Sequence, residues 1–417
     1  MGAAAPLTKK GSDTFFPVKN VSDPIFIAEW ADEQLARLPL PRASRAAQLL
    51  TERAAISGYV SRSCRLLETA DVGIALNLAR DEDWDLLPAW LECEVAPEWS
   101  AVEHAVRARS GRELVQRGRE MGLAVAVDEL PDGAIVGGPH GPDAIAAMGR
   151  SHKSIFSRKP PRVVDLSSLW AGPLCGHLLQ QLGAEVIKVE SLHRPDGARR
   201  GPSTFFDLLN AGKASVALDF ATAEGRAQLA TLIESADIVI EASRPRALRQ
   251  LGIDAEAICA RRPGLIWLSI TAYGRAPATE NWIGYGDDVG VAASLSALVR
   301  AQTGERRIVG DAIADPLTGI HAASLAWQAW RSGAGGLIDL SMYSVVRRCI
   351  NWGQKKWGQS SVFGNTTLTP VLPVSRVRAP AGVARELGAD TVVQLREAAR
   401  LGAGQTANEA KGGNDGR

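Results

Sequence analysis

From Arg162 onward, short apolar runs alternate with segments of helical periodicity, and this alternation constrains the chain more than any other feature. The runs are RVVDL (162–166), AEVIKVE (184–190), ADIVIEA (236–242), LIWLSIT (265–271) and GLIDLSM (336–342). Between them lie stretches such as AGPLCGHLLQQLG (171–183) and ATAEGRAQLATLIES (221–235). Strands apolar on both faces, joined by helices, can only be buried as a parallel sheet covered on both sides. The chain therefore reads as α/β, with its large domain over residues 162–401.

The text before Arg162 is different. WADEQLARL (30–38), RAAQLLTERAAI (45–56), DEDWDLLPAWLE (81–92) and SAVEHAVRARSGRELVQRGREMG (100–122) space apolar residues by three and four. VGIALNL (72–78) and LAVAV (123–127) read as strands among them. Residues 25–130 are thus expected to form a smaller α+β domain. Residues 1–24 are expected to be disordered, 131–161 to be a Gly/Pro-rich linker and 402–417 to be a disordered tail. Trp84 and Trp90 are placed in a helical core, and Trp327 and Trp330, three apart, on one packed helix face.

Composition excludes several function classes. A formal net charge of +1 gives no electrostatic basis for binding nucleic acid or an anionic membrane. Short basic pairs such as Arg306-Arg307 and Arg347-Arg348 read as solvated faces. No apolar run approaches the roughly 18 residues of a membrane span. The five cysteines are scattered without a C-x-x-C pair, which argues against a disulfide framework or a zinc site. MGAAAPLTKKGSD lacks an apolar leader core, and Pro6 does not suit myristoylation. The expected location is cytoplasmic, with no metal.

An open α/β sheet predicts a ligand at the carboxyl ends of its strands. Yet SSLWAGPLCG, after the first strand, carries no dinucleotide fingerprint, and no P-loop, nucleophile elbow or zincin motif occurs. In the turn WAGP, Gly172 would let a ligand approach the backbone and Pro173 would pre-set a helical turn. RRIVGDAIADPLTG (306–319) holds two carboxylates four positions apart. By residue type alone, Asp315-Pro316 has the look of a helix N-cap followed by proline at N1. His321 reads as a structural histidine on an alanine-rich helix.

Taken together, VVDLSSLWAGPLCGHLLQQLGAEVIKVE (163–190), the stretch from FFDLLNAGKASVALDF to LRQLGID (205–254), RPGLIWLSITAYG (262–274), GDAIADPLTG (310–319) and GLIDLSM (336–342) resemble the class III CoA-transferase family. This family includes formyl-CoA and carnitine CoA-transferases and α-methylacyl-CoA racemases. The resemblance implies a Rossmann-like large domain, an interlocked homodimer, and CoA as substrate with no further cofactor. It also implies that Asp315, rather than Asp311, is the catalytic aspartate, and that Ala171 and Leu218 help to hold CoA beside Gly172. Glu190 would end a strand near the CoA site or form a salt bridge.

Departures from the family pattern qualify these implications. The small domain is missing from its usual place after GLIDLSM, and the N-terminal domain looks like that unit moved to the front. RAPAGVARELGADTVVQL (378–395) resembles the closing segment. No GGGGQ-like loop occurs. Ser191, Ala221 and Gln250 stand where cations often meet CoA phosphates, each loss removing a charge-assisted bond of roughly 1.5–3 kcal/mol. Arg194, Arg199, Arg244 and Arg246 are candidate substitutes. Where racemases carry a GHD histidine, this chain has GYGDDVG with Tyr285, Asp287 and Asp288. A phenol is a poor base near neutral pH.

The expected function is transfer of CoA between an acyl-CoA and a carboxylic acid through an aspartyl mixed anhydride and an aspartyl-CoA thioester. The alternatives are an acyl-CoA racemase or epimerase, and a catalytically weakened CoA-thioester-binding protein.

Overall fold

The computed structural model describes residues 24–40, 46–57, 63–130, 149–150, 160–357 and 377–412. The expected disordered N-terminus up to residue 23 and most of the expected linker lie outside the described residues.

Two helices come first, α1 (Ile25–Leu35) and α2 (Ala46–Ser57). They are followed by a small unit of β1 (Cys64–Leu67), β2 (Gly73–Asn77), α3 (Asp81–Asp85), α4 (Leu87–Leu91), α5 (Trp99–Val106), α6 (Gly111–Met121) and β3 (Ala124–Asp128). Its three strands pair antiparallel in the order β1-β2-β3. Leu67, Ile74, Leu76, Trp90, Val106, Leu114 and Val125 form its core. Both long helical patterns of this region are broken. Pro88 sits in the first turn of α4, and Ser110 caps α6 by accepting the Glu113 N–H. Trp84 stacks edge-on against Trp99.

The larger unit starts with β4 (Gly149–Arg150), β5 (Arg162–Asp165), α7 (Ala171–Gln181), β6 (Glu185–Ser191), a 3-10 turn (Gly197–Arg200), α8 (Ser203–Asn210) and β7 (Ala214–Leu218). It continues through α9 (Ala223–Glu234), β8 (Ile238–Glu241), α10 (Pro245–Gln250), α11 (Ala255–Arg261), β9 (Ile266–Thr271), α12 (Gly286–Ala292) and α13 (Leu295–Thr303). The last elements are α14 (Ala314–Ser332), β10 (Ala334–Ser341), α15 (Met342–Trp357) and α16 (Thr391–Gly412). The sheet order is β4-β10-β9-β8-β5-β6-β7, parallel except for β4. Counted from β5, the six parallel strands run 3-2-1-4-5-6, with the topological switch point between β5 and β8.

Alternation along the strands builds two cores. Val163, Ile238, Ile240, Leu268 and Leu340 face one side, while Val164, Val239, Trp267 and Leu337 face the other. The first side also takes Phe26, Trp30, Leu49 and Leu50. Helices α1 and α2 therefore pack on α14, α15 and α8 of the large unit, although the sequence reading grouped them with residues 63–130. Their spacing of apolar residues requires a buried face but does not say against what. Gly353 of α15 lies against the Phe26 ring, where an added Cβ would sit 2.8 Å from Cγ.

The closing segment covers the open edge of β7. Asp390 accepts the Ser215 N–H at 2.9 Å and Thr391 Oγ1 accepts that of Ala217 at 3.0 Å, so this edge offers no free ladder there. From Thr391 the chain is helical to Gly412, past the point where the sequence suggested a disordered tail. The basic pairs are not simply solvated faces. Arg306 pairs with Glu68 and donates to the Leu67 carbonyl, and buried Arg347 donates to the Ala293 carbonyl.

If α1 belongs to the large core, Phe26→Ala should lower the free energy of unfolding by about 3–5 kcal/mol. Denaturant titration followed by tryptophan fluorescence checks this. Loss of a small-unit transition alone would contradict it.

Candidate active site

The site is assembled where three helices begin. Strand β5 ends at Asp165, the chain turns through Ser167, Leu169 and Trp170, and α7 starts at Ala171 at the switch point. Helix α12 starts at Gly286. Asp315 lies in the first turn of α14, and the backbone N–H groups of Ala171 and Gly286 lie near enough to its carboxyl to favour the ionised form. Ile313 precedes that turn as its cap residue, so Asp315 is not the N-cap that the Asp-Pro pair suggested. Backbone N–H groups at helix starts have no intrahelical acceptor, and here one from α7 and one from α12 lie beside the same carboxylate.

Glycines make this convergence possible. A Cβ on Gly286 would lie 2.2 Å from both Asp315 Oδ2 and the Ala312 carbonyl oxygen. A Cβ on Gly319 would lie 2.6 Å from the Ala171 carbonyl oxygen, so this glycine lets α14 lie directly on α7. Gly172 closes against Ser167 Oγ, 2.1 Å from where its Cβ would be. That intramolecular contact requires the glycine whether or not a ligand approaches.

The turn before Asp315 is held from outside. Asp311 takes a two-point grip from Arg53 of α2, with Nε donating to Oδ2 at 2.7 Å. The Arg53 guanidinium lies over the Trp170 ring, 5.2 Å from its centroid. Asp287 Oδ1 accepts the Ala312 N–H at 2.6 Å, and Ala312 itself adopts a φ of 48°. A left-handed alanine is a strained conformation that only surrounding bonds maintain. Asp311 is thus the anchor of the loop that carries Asp315.

Asp315 keeps part of its surface open, but protein encloses it closely. Desolvation pushes its carboxyl up to about 7, against the pull of Arg53, with Asp287 adding to the rise and the Ala171 and Gly286 N–H groups opposing it. Asp288 points away toward the small unit, where its Oδ1 accepts from Asn77 Nδ2 at 2.9 Å. Burial pushes it to about 7 as well.

The other sequence candidates are distributed as follows. Ala171, Gly172 and Asp315 come together. Leu218 ends β7, two strands from β5, with its side chain buried and its carbonyl bonded to the Leu192 N–H. Glu190 is engaged by Arg199 through Nε at 2.9 Å and Nη2 at 2.6 Å, so Arg199 is committed to that ion pair and to the face of Phe206. Arg194, Arg244 and Arg246 are exposed. Desolvation and then the charges of Arg246, Arg80 and Arg194 lower the pKa of Arg244, which marks a concentration of positive charge near the carboxyl end of β8. Burial pushes the Tyr285 phenol up, so it is no stand-in for a histidine base. His321 Nδ1 meets Gln34 Oε1 at 3.1 Å beside Trp30, a packed structural position. Trp327 and Trp330 stack on each other. Among the described residues no cluster of His, Cys, Asp or Glu could hold a metal ion, and no helix is long and apolar enough to cross a membrane. Sequence reading missed Arg53 and Gly286. The only available signal was the glycine directly before the paired aspartates of GYGDDVG.

A family model described as CoA-transferase family III matches residues 161–369, half of the chain. A succinate–glutarate CoA-transferase of Agrobacterium fabrum is 33% identical over 210 residues, covering 45% of this chain and 52% of that protein. A succinyl-CoA–D-citramalate CoA-transferase of Chloroflexus aurantiacus is 31% identical over 46% of this chain and 52% of its own length. A formyl-CoA:oxalate CoA-transferase of Afipia carboxidovorans is 30% identical over 45% and 47% respectively. The chain thus spans about half the length of these curated relatives. A crystal structure of Rv3272 from M. tuberculosis aligns with a TM-score of 0.41 at 31% identity, over 48% of this chain and 56% of that one.

A carboxyl whose folded pKa lies near 7 binds a proton that the unfolded chain releases near pH 4. Stability should therefore fall as pH rises from about 4 through 7 and level off above. Asp315→Asn should flatten part of this slope and make the protein more stable than wild type at pH 8, as read by denaturant titration at several pH values. Asp288 keeps its own share of the slope in the variant. A slope unchanged by the substitution would contradict the assignment.

Proposed function

The chain belongs to CoA-transferase family III, and from that membership and the setting of Asp315 we propose that it moves CoA between an acyl-CoA thioester and a carboxylic acid. The observation that carries the reading is a partly open carboxylate, ionising near neutral pH, set beside the N–H groups of two helix starts.

An oxygen of Asp315 attacks the thioester carbonyl carbon, the C–S bond breaks, and the CoA thiolate leaves a mixed anhydride between Asp315 and the acyl group. The thiolate then attacks the aspartyl carbonyl carbon. The bond to the acyl carboxylate breaks, and the donor acid departs while CoA remains on Asp315 as a thioester. The acceptor carboxylate reverses both steps. The thioester energy is retained on the enzyme because water takes no part. When thiolate or carboxylate adds to the aspartyl carbonyl, negative charge builds on an oxygen beside the Ala171 and Gly286 N–H groups, and these donors stabilise it in a site that already excludes most water.

The carboxyl edge of β5, β6 and β8 receives CoA, with Ala171, Gly172 and the Leu218 end of β7 lining its path. Arg194, Arg244 and Arg246 meet its phosphates, replacing the cations absent at Ser191, Ala221 and Gln250. The acid is a small carboxylic acid, as in the names of the relatives. The enzyme works as a homodimer in the cytoplasm. The racemase reading loses support from the raised Tyr285 phenol.

The test is turnover against pH with a panel of acyl-CoA donors and small acids. Wild type should show kcat/KM rising with pH to a plateau above about 7, since only the ionised carboxylate attacks. Asp315→Asn should lose at least about 10³-fold in kcat while retaining CoA binding. Turnover surviving the substitution would refute the nucleophile assignment.

A further inference from the structure

We propose that two fully buried ion pairs, Lys213–Asp165 and Lys188–Asp196, are positioning residues for the reaction: they hold the turn before α7 so that the start of that helix, with the Ala171 N–H, stays beside Asp315. The proposal rests on the reading of Asp315 as the nucleophile.

All four side chains are nearly devoid of solvent contact, and their bonds end on that one turn. Lys213 Nζ reaches Asp165 Oδ2 at 2.9 Å and the Pro173 carbonyl, in the first turn of α7, also at 2.9 Å. Asp165 Oδ1 accepts the Ser167 N–H at 3.1 Å. Lys188 Nζ reaches Asp196 Oδ2 at 2.8 Å and the Ser167 carbonyl at 3.0 Å. Asp196 Oδ1 accepts the Leu169 N–H at 2.9 Å. Residues 167, 169 and 173 are therefore each fixed by an ionised group, and Ala171 lies between them.

The backbone here needs such holding. Leu169 has a φ of 68°, a left-handed conformation that a leucine leaves unless its surroundings over-determine it. Gly172 packs so closely on Ser167 that the turn has no slack. Gly176 brings α7 down onto the first pair, with an added Cβ only 2.9 Å from Asp165 Oδ2. Stability alone does not account for four buried charges, since apolar replacements of such pairs are often neutral or better. Placement of a catalytic N–H does account for them.

The charged groups that act on Asp315 itself are Arg53 from α2, which is paired to Asp311, and Asp287 from α12. None of the four brace residues is among them. Removing a net-neutral brace pair therefore changes Asp315 chiefly through movement of the Ala171 N–H.

The test compares full-length wild type with Lys213→Met and with Asp165→Asn/Lys213→Met. The double variant leaves no uncompensated charge, so it keeps the question open to experiment if the single variant does not fold. The first readout is the pH dependence of Asp315 esterification by a diazoacetamide, which labels protonated carboxyls, quantified by peptide mass spectrometry. Folded variants should show a midpoint raised by about one pH unit, because the ionised form has lost the attraction of a nearby N–H dipole. Their kcat should fall on the order of 100-fold with the Kd for CoA within about threefold of wild type. A folded double variant with the wild-type midpoint and kcat would overturn the proposal. The labelling midpoint requires no turnover, so it judges the brace even if the wild type transfers no CoA, a result that would count against the proposed function instead.

Discussion

The structure around the site depends on keeping one ionisable carboxylate in a place that opposes its charge. Desolvation and the neighbouring Asp287 both push the Asp315 carboxyl upward. The opposition comes from Arg53 and from two backbone N–H groups that belong to different helices. Neither helix start could come so close to it without a glycine. Gly286 removes a Cβ that would collide with the carboxylate, and Gly319 lets α14 settle onto α7. The balance leaves a group that ionises near neutrality, as the proposed attack on a thioester requires.

Each contributor is delivered by a different level of the fold. The 3-2-1-4-5-6 strand order opens a crevice beside β5, and α7 begins in it. Helix α2 crosses from the N-terminal segment to place Arg53 on Asp311. The small unit docks on α12 through Asn77 with Asp288 and on α13 through Asp128 with Arg300, and the first bond ties the Gly286 end of α12 to a separate core. The site therefore draws on both units and on α2, a segment that comes before the first strand of the large sheet.

Much of this was legible in the sequence. The strands at 162–165, 185–191, 238–241 and 266–271 announced themselves because parallel strands buried on both faces must be apolar almost throughout. Strands Cys64–Leu67 and Ala214–Leu218 were not singled out by pattern. The first is short and interrupted by Arg65, and the second is an edge strand rich in small residues. The partners of α1 and α2 stayed hidden because an apolar helix face specifies burial and not its cover. The aspartate was picked out by resemblance, while cap chemistry pointed to a boundary two residues too late, since Ile313 and not Asp315 precedes the helix. Arg53 carries no motif and lies 258 residues from the aspartate it grips. Only folding brings them together.

The central claim is that Asp315 carries CoA covalently during turnover. The most direct measurement is intact-protein and peptide mass spectrometry after the purified chain meets succinyl-CoA, formyl-CoA and longer acyl-CoAs, with hydroxylamine added to half of each sample. The account predicts a CoA-sized mass gain on the peptide containing Asp315, converted by hydroxylamine to a hydroxamate at that residue. Tight CoA binding with no covalent adduct from any donor, or an adduct on another residue, would contradict it.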